Sequence, residues 1–362
     1  MESESPQYVL CVDGGGSKCT AVLISSEGTT VVGEAGPCNP STIGVDAAVV
    51  VITEAMNEAL SHVPPRAETL AGVQITSAWI GIAGYDRPSL APVLDAAMVQ
   101  LLKLPLGPRL RITADIDLLA VNATQWHAPS AIVLVAGTGS VSMSYGRKES
   151  DADGDDTVLA RTGRVGGWGP LLGDDGAGFS IGRDALRVAL RTSDAWTNDE
   201  SDDKSIPALS QAVFDYFREQ QEVIGTGFHP RDLLSCILTP TPLASTPPSA
   251  NTSSSPTKTI AQAARIVLSL ADTDDQARRI LEQGAACLAD LVEELLRVQN
   301  LDTNTTETAL IMAGGLLCHK TYSNMVRDEL ARRNVQFQWT THVQSPALEG
   351  ARFLASQRHR VE

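Results

Sequence analysis

Aromatic residues make up only 4% of this 362-residue chain, and cationic ones are outnumbered, with 28 lysines and arginines against 43 aspartates and glutamates. At a net charge of −15, the chain is poorly suited to gripping a polyanion through counterion release, so nucleic acid is not an expected partner. A small phosphorylated ligand stays open, because backbone N–H groups and helix dipoles hold phosphate without cationic side chains. Cysteine is sparse as well. The six (Cys11, Cys19, Cys38, Cys236, Cys287, Cys318) include no CxxC pair, which argues against a disulfide frame or a metal site and for reduced thiols. The six histidines are scattered, and no apolar run reaches membrane-spanning length. The opening MESESPQY lacks the basic and apolar regions of a signal peptide, so a cytosolic protein without a membrane partner is expected.

What is present is 43% hydrophobic residues, enough over this length for two domains with proper cores. The chain opens as strand, glycine turn, strand: Tyr8–Val12, then Gly14-Gly15-Gly16-Ser17, then Ala21–Ser25. A third strand is predicted at Thr30–Glu34, then a helix at about Asp46–Ser61 with Asp46 as its N-cap, a strand at Ser77–Ala83, a helix near Ala91–Leu102 and a strand at Leu110–Thr113. The first part of this pattern recurs. Strand Ala131–Ala136, turn Gly137-Thr138-Gly139-Ser140 and strand Val141–Tyr145 begin 123 residues later, taking Gly137 against Gly14. We read this as a degenerate internal duplication, one domain apart. Helices follow near Ala177–Thr192, Ile206–Glu219 and Asp275–Val298, then a strand at Ala309–Ala313, the pair Gly314-Gly315 and a helix around Lys320–Arg332. A strand near Gln336–Trp339 and a helix at Ala347–Ser356 close the chain.

Two stretches fall outside this core. Thr239–Lys258 is almost entirely Pro, Ser, Thr and small residues, a composition too poor in apolar surface to order itself. Glu149–Thr157 is acidic and reads as a solvated hairpin tip.

The chemistry concentrates in four places. Asp13-Gly14-Gly15-Gly16-Ser17-Lys18 follows an apolar strand. It is neither a Walker A loop nor a dinucleotide fingerprint, since a strand follows where a helix should start. It is either a plain hairpin turn or a turn free of bulky side chains whose N–H groups face a phosphate, with Asp13 placed to hold Mg²⁺ through water. Gly137-Thr138-Gly139 repeats the design, and Gly314-Gly315 gives a third glycine turn. Asp115 stands where a strand ends and a helix begins, the place for a helix cap or a general base. Asp117, two residues along and so turned by roughly 200° on a helix, is expected to point away. Seven of the 17 residues from Gly166 through Gly182 are glycine. That segment reads as a substrate loop, with Trp168 as an apolar wall and Asp174 accepting hydroxyl hydrogen bonds. Asn39 is a turn residue or a polar contact.

Together these segments resemble the sugar kinase/actin/heat-shock-chaperone ATPase superfamily over nearly the whole chain. Within it they are most similar to the N-acetylglucosamine kinase branch, which is related to the ATPase activators of benzoyl-CoA reductase. VDGGGSK and AGTGS resemble its two phosphate motifs, IMAGGL its adenosine motif and GGWGPLLGDDGAGFSIG its kinase signature. The usual Gly-Asp-Glu-Gly-Ser is here Gly173-Asp174-Asp175-Gly176-Ala177. The resemblance implies an α/β fold of two duplicated actin-like (ribonuclease H-like) domains with a central ATP and sugar cleft. One would span 1–119 plus a C-terminal helix at about 346–362 and bind sugar and phosphate. The other, 120–345, would bind nucleotide and dimerise, with 239–258 as an insertion. The activity implied is ATP- and Mg²⁺-dependent phosphorylation of N-acetyl-D-glucosamine to its 6-phosphate by a homodimer. Asp115 becomes the base, and Asn39, Asp115, Gly167, Trp168 and Asp174 the sugar contacts. Gly15, Gly16, Ser17, Lys18, Gly137, Thr138, Gly139, Ala261, Gly314 and Gly315 become nucleotide contacts. Another hexosamine or hexose, a reductase-activating ATPase and a non-catalytic sugar sensor are the alternatives; an iron–sulfur activator needs cluster cysteines, and the signature segment has none.

Overall fold

A computed structural model describes residues 7–63, 73–147, 158–195, 206–223, 227–239, 255–301 and 304–358. The chain divides into two compact units, one formed by Met1–Ala128, Arg147–Arg161 and Ser345–Glu362, the other by Pro129–Gly146 and Thr162–Gln344.

In the first unit, β1 (Gln7–Gly14), β2 (Cys19–Ser25), β3 (Thr30–Ala35), β4 (Gln74–Ile82) and β5 (Leu110–Thr113) form a sheet in the order β3-β2-β1-β4-β5. β1 runs antiparallel to β2 and parallel to β4, and β4 parallel to β5. The apolar run through β1 is a centre strand buried on both faces, as expected where helices cover a sheet from two sides. Its alternation sends Tyr8, Leu10 and Val12 into a core with α2 (Val45–Ser61) and α3 (Ala91–Leu102). Val9 and Cys11 point the other way, into a core with Leu118, Val121 and the helix α11 (Pro346–Arg358). Gly350 makes that second packing possible, since a Cβ there would lie 2.5 Å from the Cys11 sulfur.

In the second unit, β6 (Ser130–Ala136), β7 (Ser140–Gly146), β8 (Ala160–Gly166), β9 (Asn304–Ala313) and β10 (Gln336–Val343) are ordered β10-β9-β6-β7-β8. Read from β8, this is the first sheet strand for strand, with β6–β7 antiparallel and β6–β9 and β9–β10 parallel. The two glycine turns therefore occupy the same place in each half. The core of this unit forms against α9 (Asp275–Val298), whose buried Leu281, Leu288, Val292 and Leu295 recur at helical spacing. Asp274 caps α9 by accepting from the Gln276 and Ala277 N–H groups at 2.9 and 2.8 Å. The remaining helices of this unit are α4 (Gly178–Asp194), α5 (Ala208–Val223), the short α6 (Leu233–Leu238), α7 (Pro256–Gln262) and α8 (Ala264–Ser269), and α10 (Lys320–Arg332).

Four local expectations change. Asp46 is not the cap of α2, which starts one residue earlier behind Gly44 with no side-chain cap; Asp46 sits in the first turn, where its charge favours the helix dipole. A four-residue helix α1 (Pro40–Ile43) precedes it. Asp115–Trp126 winds as a 3₁₀ helix, not an α-helix. Of the segment read as irregular, residues 240–254 lie outside the described residues, but Ser255 caps α7 and Pro256–Lys258 form its first turn. The acidic stretch 149–157 also lies outside the described residues.

Candidate active site

In the first unit, parallel pairing brings the C-terminal ends of β1, β4 and β5 to one edge of the sheet, the place where open α/β sheets bind ligands. Asp13 stands at the end of β1 in register with Gly81 of β4. Asp115 follows β5, and its Cα lies 3.1 Å from where a Cβ on Gly81 would sit. Glycine at 81 thus lets the Asp115 segment pack closely on β4. Burial is the main influence on both carboxyls. It pushes Asp115 up to about 6, helped by Asp117 and Asp86 and opposed by the Ile116 N–H that Asp115 accepts at 3.0 Å. Burial and the Asp115 charge push Asp13 up to about 7 against the pull of Lys18. A carboxylate tuned toward neutrality suits proton transfer, and a second one beside it suits a cation.

The β1–β2 turn is closed by the Gly15 N–H donating to the Lys18 carbonyl at 2.9 Å and anchored by the Cys38 N–H donating to the Gly15 carbonyl at 2.9 Å. Gly16, Ser17 and Lys18 are exposed, and Lys18 pairs with Glu34. Asn39 takes the turn role, its Oδ1 accepting from the Ser41 N–H at 2.9 Å to cap α1.

In the second unit, the β6–β7 turn is docked on the start of α4. The Gly178 and Phe179 N–H groups donate to the Gly137 and Thr138 carbonyls at 2.8 and 3.0 Å. A Cβ on Gly178 would meet the Gly137 oxygen at 3.0 Å and the Ala261 oxygen at 3.4 Å, and one on Gly314 would meet the Ala136 oxygen at 2.4 Å and the Gly137 nitrogen at 2.9 Å. Gly137, Thr138, Gly139, Ala261 and Gly314 therefore converge, with exposed Gly315 next in the chain. The first N–H groups of α4 are spent on this turn, and what the turn leaves for an anion is exposed backbone free of bulky side chains.

The signature loop is stapled to the same turn. The Gly167 N–H donates to the Ser140 carbonyl at 2.9 Å, the Ser140 hydroxyl donates to the Asp175 carbonyl at 2.8 Å, and the Ser140 N–H donates to Asp174 Oδ1 at 3.1 Å. Asp174 is 9% exposed and packs on Gly139, where a Cβ would be 2.5 Å from its Oδ1. One of its oxygens is thus committed to the turn rather than to a ligand. The Tyr322 hydroxyl, buried on α10, donates to the Gly176 carbonyl at 2.6 Å from behind. Trp168 is 65% exposed.

Two residues here escaped the sequence reading. Arg161 binds Asp86 through Nη1 and Nη2 at 2.6 and 2.8 Å, and Asp117 through Nε and Nη2 at 3.0 and 2.7 Å. Asp117 does not simply point away, as expected: it is half-buried and ion-paired. Two residues of a 3₁₀ helix turn by roughly 240°, not 200°, and Arg161, which belongs to the first unit, stands at the start of β8, a strand whose sequence ARTGRVG gives no strand signal.

Curated relatives agree with the resemblance. The chain is 29% identical over 197 residues to an N-acetyl-D-glucosamine kinase of Dictyostelium discoideum, covering 52% of this chain and 56% of the relative. It is 30% identical over 190 residues to an N-acetylmuramic acid/N-acetylglucosamine kinase of Clostridium acetobutylicum, covering 52% and 55%. The chain thus spans about half the length of the curated relatives it matches. Two solved structures share its fold. One is a protein provisionally called an N-acetylglucosamine kinase from Porphyromonas gingivalis (17% identity, TM-score 0.65, 97% of this chain and 99% of that one). The other, from Chromobacterium violaceum and provisionally given the same activity, has 19% identity, a TM-score of 0.58 and the same coverage. The chain therefore shares the α/β fold of these two structures, two units each built on a five-stranded sheet. The pattern of one family matches residues 10–355, taking in both glycine turns, both sheets and the signature loop, and the chain belongs to the BadF/BadG/BcrA/BcrD ATPase family.

Proposed function

We propose that this protein is an ATP-dependent sugar kinase that phosphorylates N-acetyl-D-glucosamine on its 6-hydroxyl. The observation that carries the reading is the placement of Asp13 and Asp115 on either side of Gly81, at the C-terminal ends of β1 and β5. Asp115 takes the hydroxyl proton as the oxygen attacks the γ-phosphoryl group, and a carboxyl held near 6 accepts it without being protonated at neutral pH. In the second unit the Gly137–Gly139 turn holds nucleotide phosphate through backbone N–H groups, with Ala261 and Gly314-Gly315 on the adenosine side, and in the first unit the Gly15–Lys18 turn offers backbone of the same kind. Gly167, Trp168 and Asp174 of the second unit face the sugar in this reading, the second oxygen of Asp174 accepting from a hydroxyl. Positioning and charge compensation supply most of the rate in phosphoryl transfer.

The residues present fit Mg²⁺. Among the described residues no cluster of three or more His, Cys, Asp or Glu side chains forms a cage, and Mg²⁺ is typically held by one or two carboxylates plus substrate phosphates. Asp13 would hold it, and its charge would neutralise that of the phosphates. Both curated relatives are named for acetamido sugars, which supports the substrate class.

A coupled ADP-release assay over N-acetylglucosamine, N-acetylmuramic acid, N-acetylmannosamine, glucosamine and glucose tests this reading. N-acetylglucosamine is expected to give the highest kcat/KM. An equal value for glucose overturns the substrate, whereas sugar-independent ADP release, or none at all, overturns the kinase and favours an activator ATPase or a sensor. Sedimentation tests the homodimer that the resemblance implies.

A further inference from the structure

We propose that Arg161 is a positioning residue for the Asp115 base, clamping Asp117 on the first turn of the 3₁₀ helix to Asp86 on the segment after β4. The inference rests on the kinase reading for its rate measurements but not for its titration. Arg161 uses Nε, Nη1 and Nη2 on two carboxylates, with contacts of 2.6 to 3.0 Å. Its side chain is 25% exposed, and those of Asp117 and Asp86 17% and 32%, so solvent screens the group only partly. Asp115 lies two residues before Asp117 and follows the four-residue strand β5. A 3₁₀ helix has weaker hydrogen bonds than an α-helix. Its first turn is therefore held largely by what grips its side chains, and the Arg161 fork grips Asp117 from the side.

The same clamp sets the charge around the base. Asp115 is raised by Asp117 from its own helix and by Asp86 from the segment after β4, and its own charge raises Asp13 of β1, on which Lys18 of the turn acts in the other direction. Arg161 stands between Asp86 and Asp117 and offsets both. Without it, more of the negative charge on Asp86 and Asp117 would bear on Asp115. Lysine keeps the charge but cannot fork two carboxylates at once, which separates geometry from electrostatics.

The experiment compares wild type, Arg161→Lys, Arg161→Met and Asp86→Asn in kcat, KM for sugar and ATP, and the pH profile of kcat/KM. A ¹³C-carboxyl NMR titration of Asp115, assigned with Asp115→Asn, accompanies it. For Arg161→Lys we expect kcat to fall about tenfold or more, as small misplacements of reacting groups do, with KM for ATP nearly unchanged and the acid limb near its wild-type position. Arg161→Met should lose more and move the limb to higher pH, whereas Asp86→Asn should move it to lower pH. Wild-type kcat and an unmoved limb in Arg161→Lys and Asp86→Asn overturn the proposal even if Arg161→Met fails to fold. So does a loss that disappears once activity is scaled to folded protein. If the wild type phosphorylates no sugar, the kinase reading fails separately. The titration then decides alone: an Asp115 resonance titrating identically in Asp86→Asn and both Arg161 variants sinks the clamp.

Discussion

At the scale of single residues, the chemistry turns on which carboxyl is tuned and which is committed elsewhere. Asp115 is half-buried with its carboxyl at about 6, whereas Asp117 is occupied by Arg161. Asp115→Asn keeps the shape and one acceptor but cannot take a proton. Its kcat should fall by about 10²–10⁴-fold, with ATP binding little changed in a nucleotide titration. In the wild type, kcat/KM should decline as pH drops through about 6, because a base must be unprotonated to act. If Asp115→Asn turns over normally while Asp174→Asn does not, the base lies in the signature loop. The bond from the Ser140 N–H to Asp174 predicts a different signature for that residue, a raised KM for ATP as the turn loosens.

At the scale of elements, close backbone approach fixes the second glycine turn. α4 carries its N-terminus to the turn, and α7 crosses α4 at Gly182, where a Cβ would lie 1.9 Å from the Ile260 carbonyl. No rotamer change relieves a clash with backbone, so the helices must part. Gly182→Ala is therefore expected to destabilise the protein by about 1–3 kcal/mol or more in chemical denaturation. It should also raise KM for ATP, since Ala261 is the neighbour of Ile260 and packs on Gly178 at the turn. Loss of stability with an unchanged KM for ATP would show that α7 is only a brace.

At the scale of the whole molecule, the acid pair has a cost that thermal unfolding reads. Asp13 and Asp115 sit at about 7 and about 6 when folded, against an ordinary 3.8. Folded-state values above the unfolded ones mean that the native state binds more protons, so these two groups lower stability as pH rises from about 4 to about 7. Asp13→Asn removes one of them. Its melting temperature relative to wild type should rise across that window and level off above it; a flat or falling difference would mean that Asp13 is not held in this repulsive pair. The sequence by itself determined a good part of this molecule. The repeated strand–glycine turn–strand units, at Gly14 and Gly137, predicted the duplication that appears as two sheets of identical strand order, because burial on both faces leaves a continuous apolar run that reads locally. The placing of Asp13 and Asp115 at strand ends was legible for the same reason. Tertiary structure alone decided the rest. β8, ARTGRVG, becomes a strand only because it hydrogen-bonds to β7 in the sheet, and the short helices α1, α6, α7 and α8 carry too few residues to show a period. Asp174 turned back onto Ser140, and Arg161 reached Asp86 and Asp117 across 75 and 44 residues of sequence. Such pairings depend on where the backbone returns, and no local pattern of residue types records that.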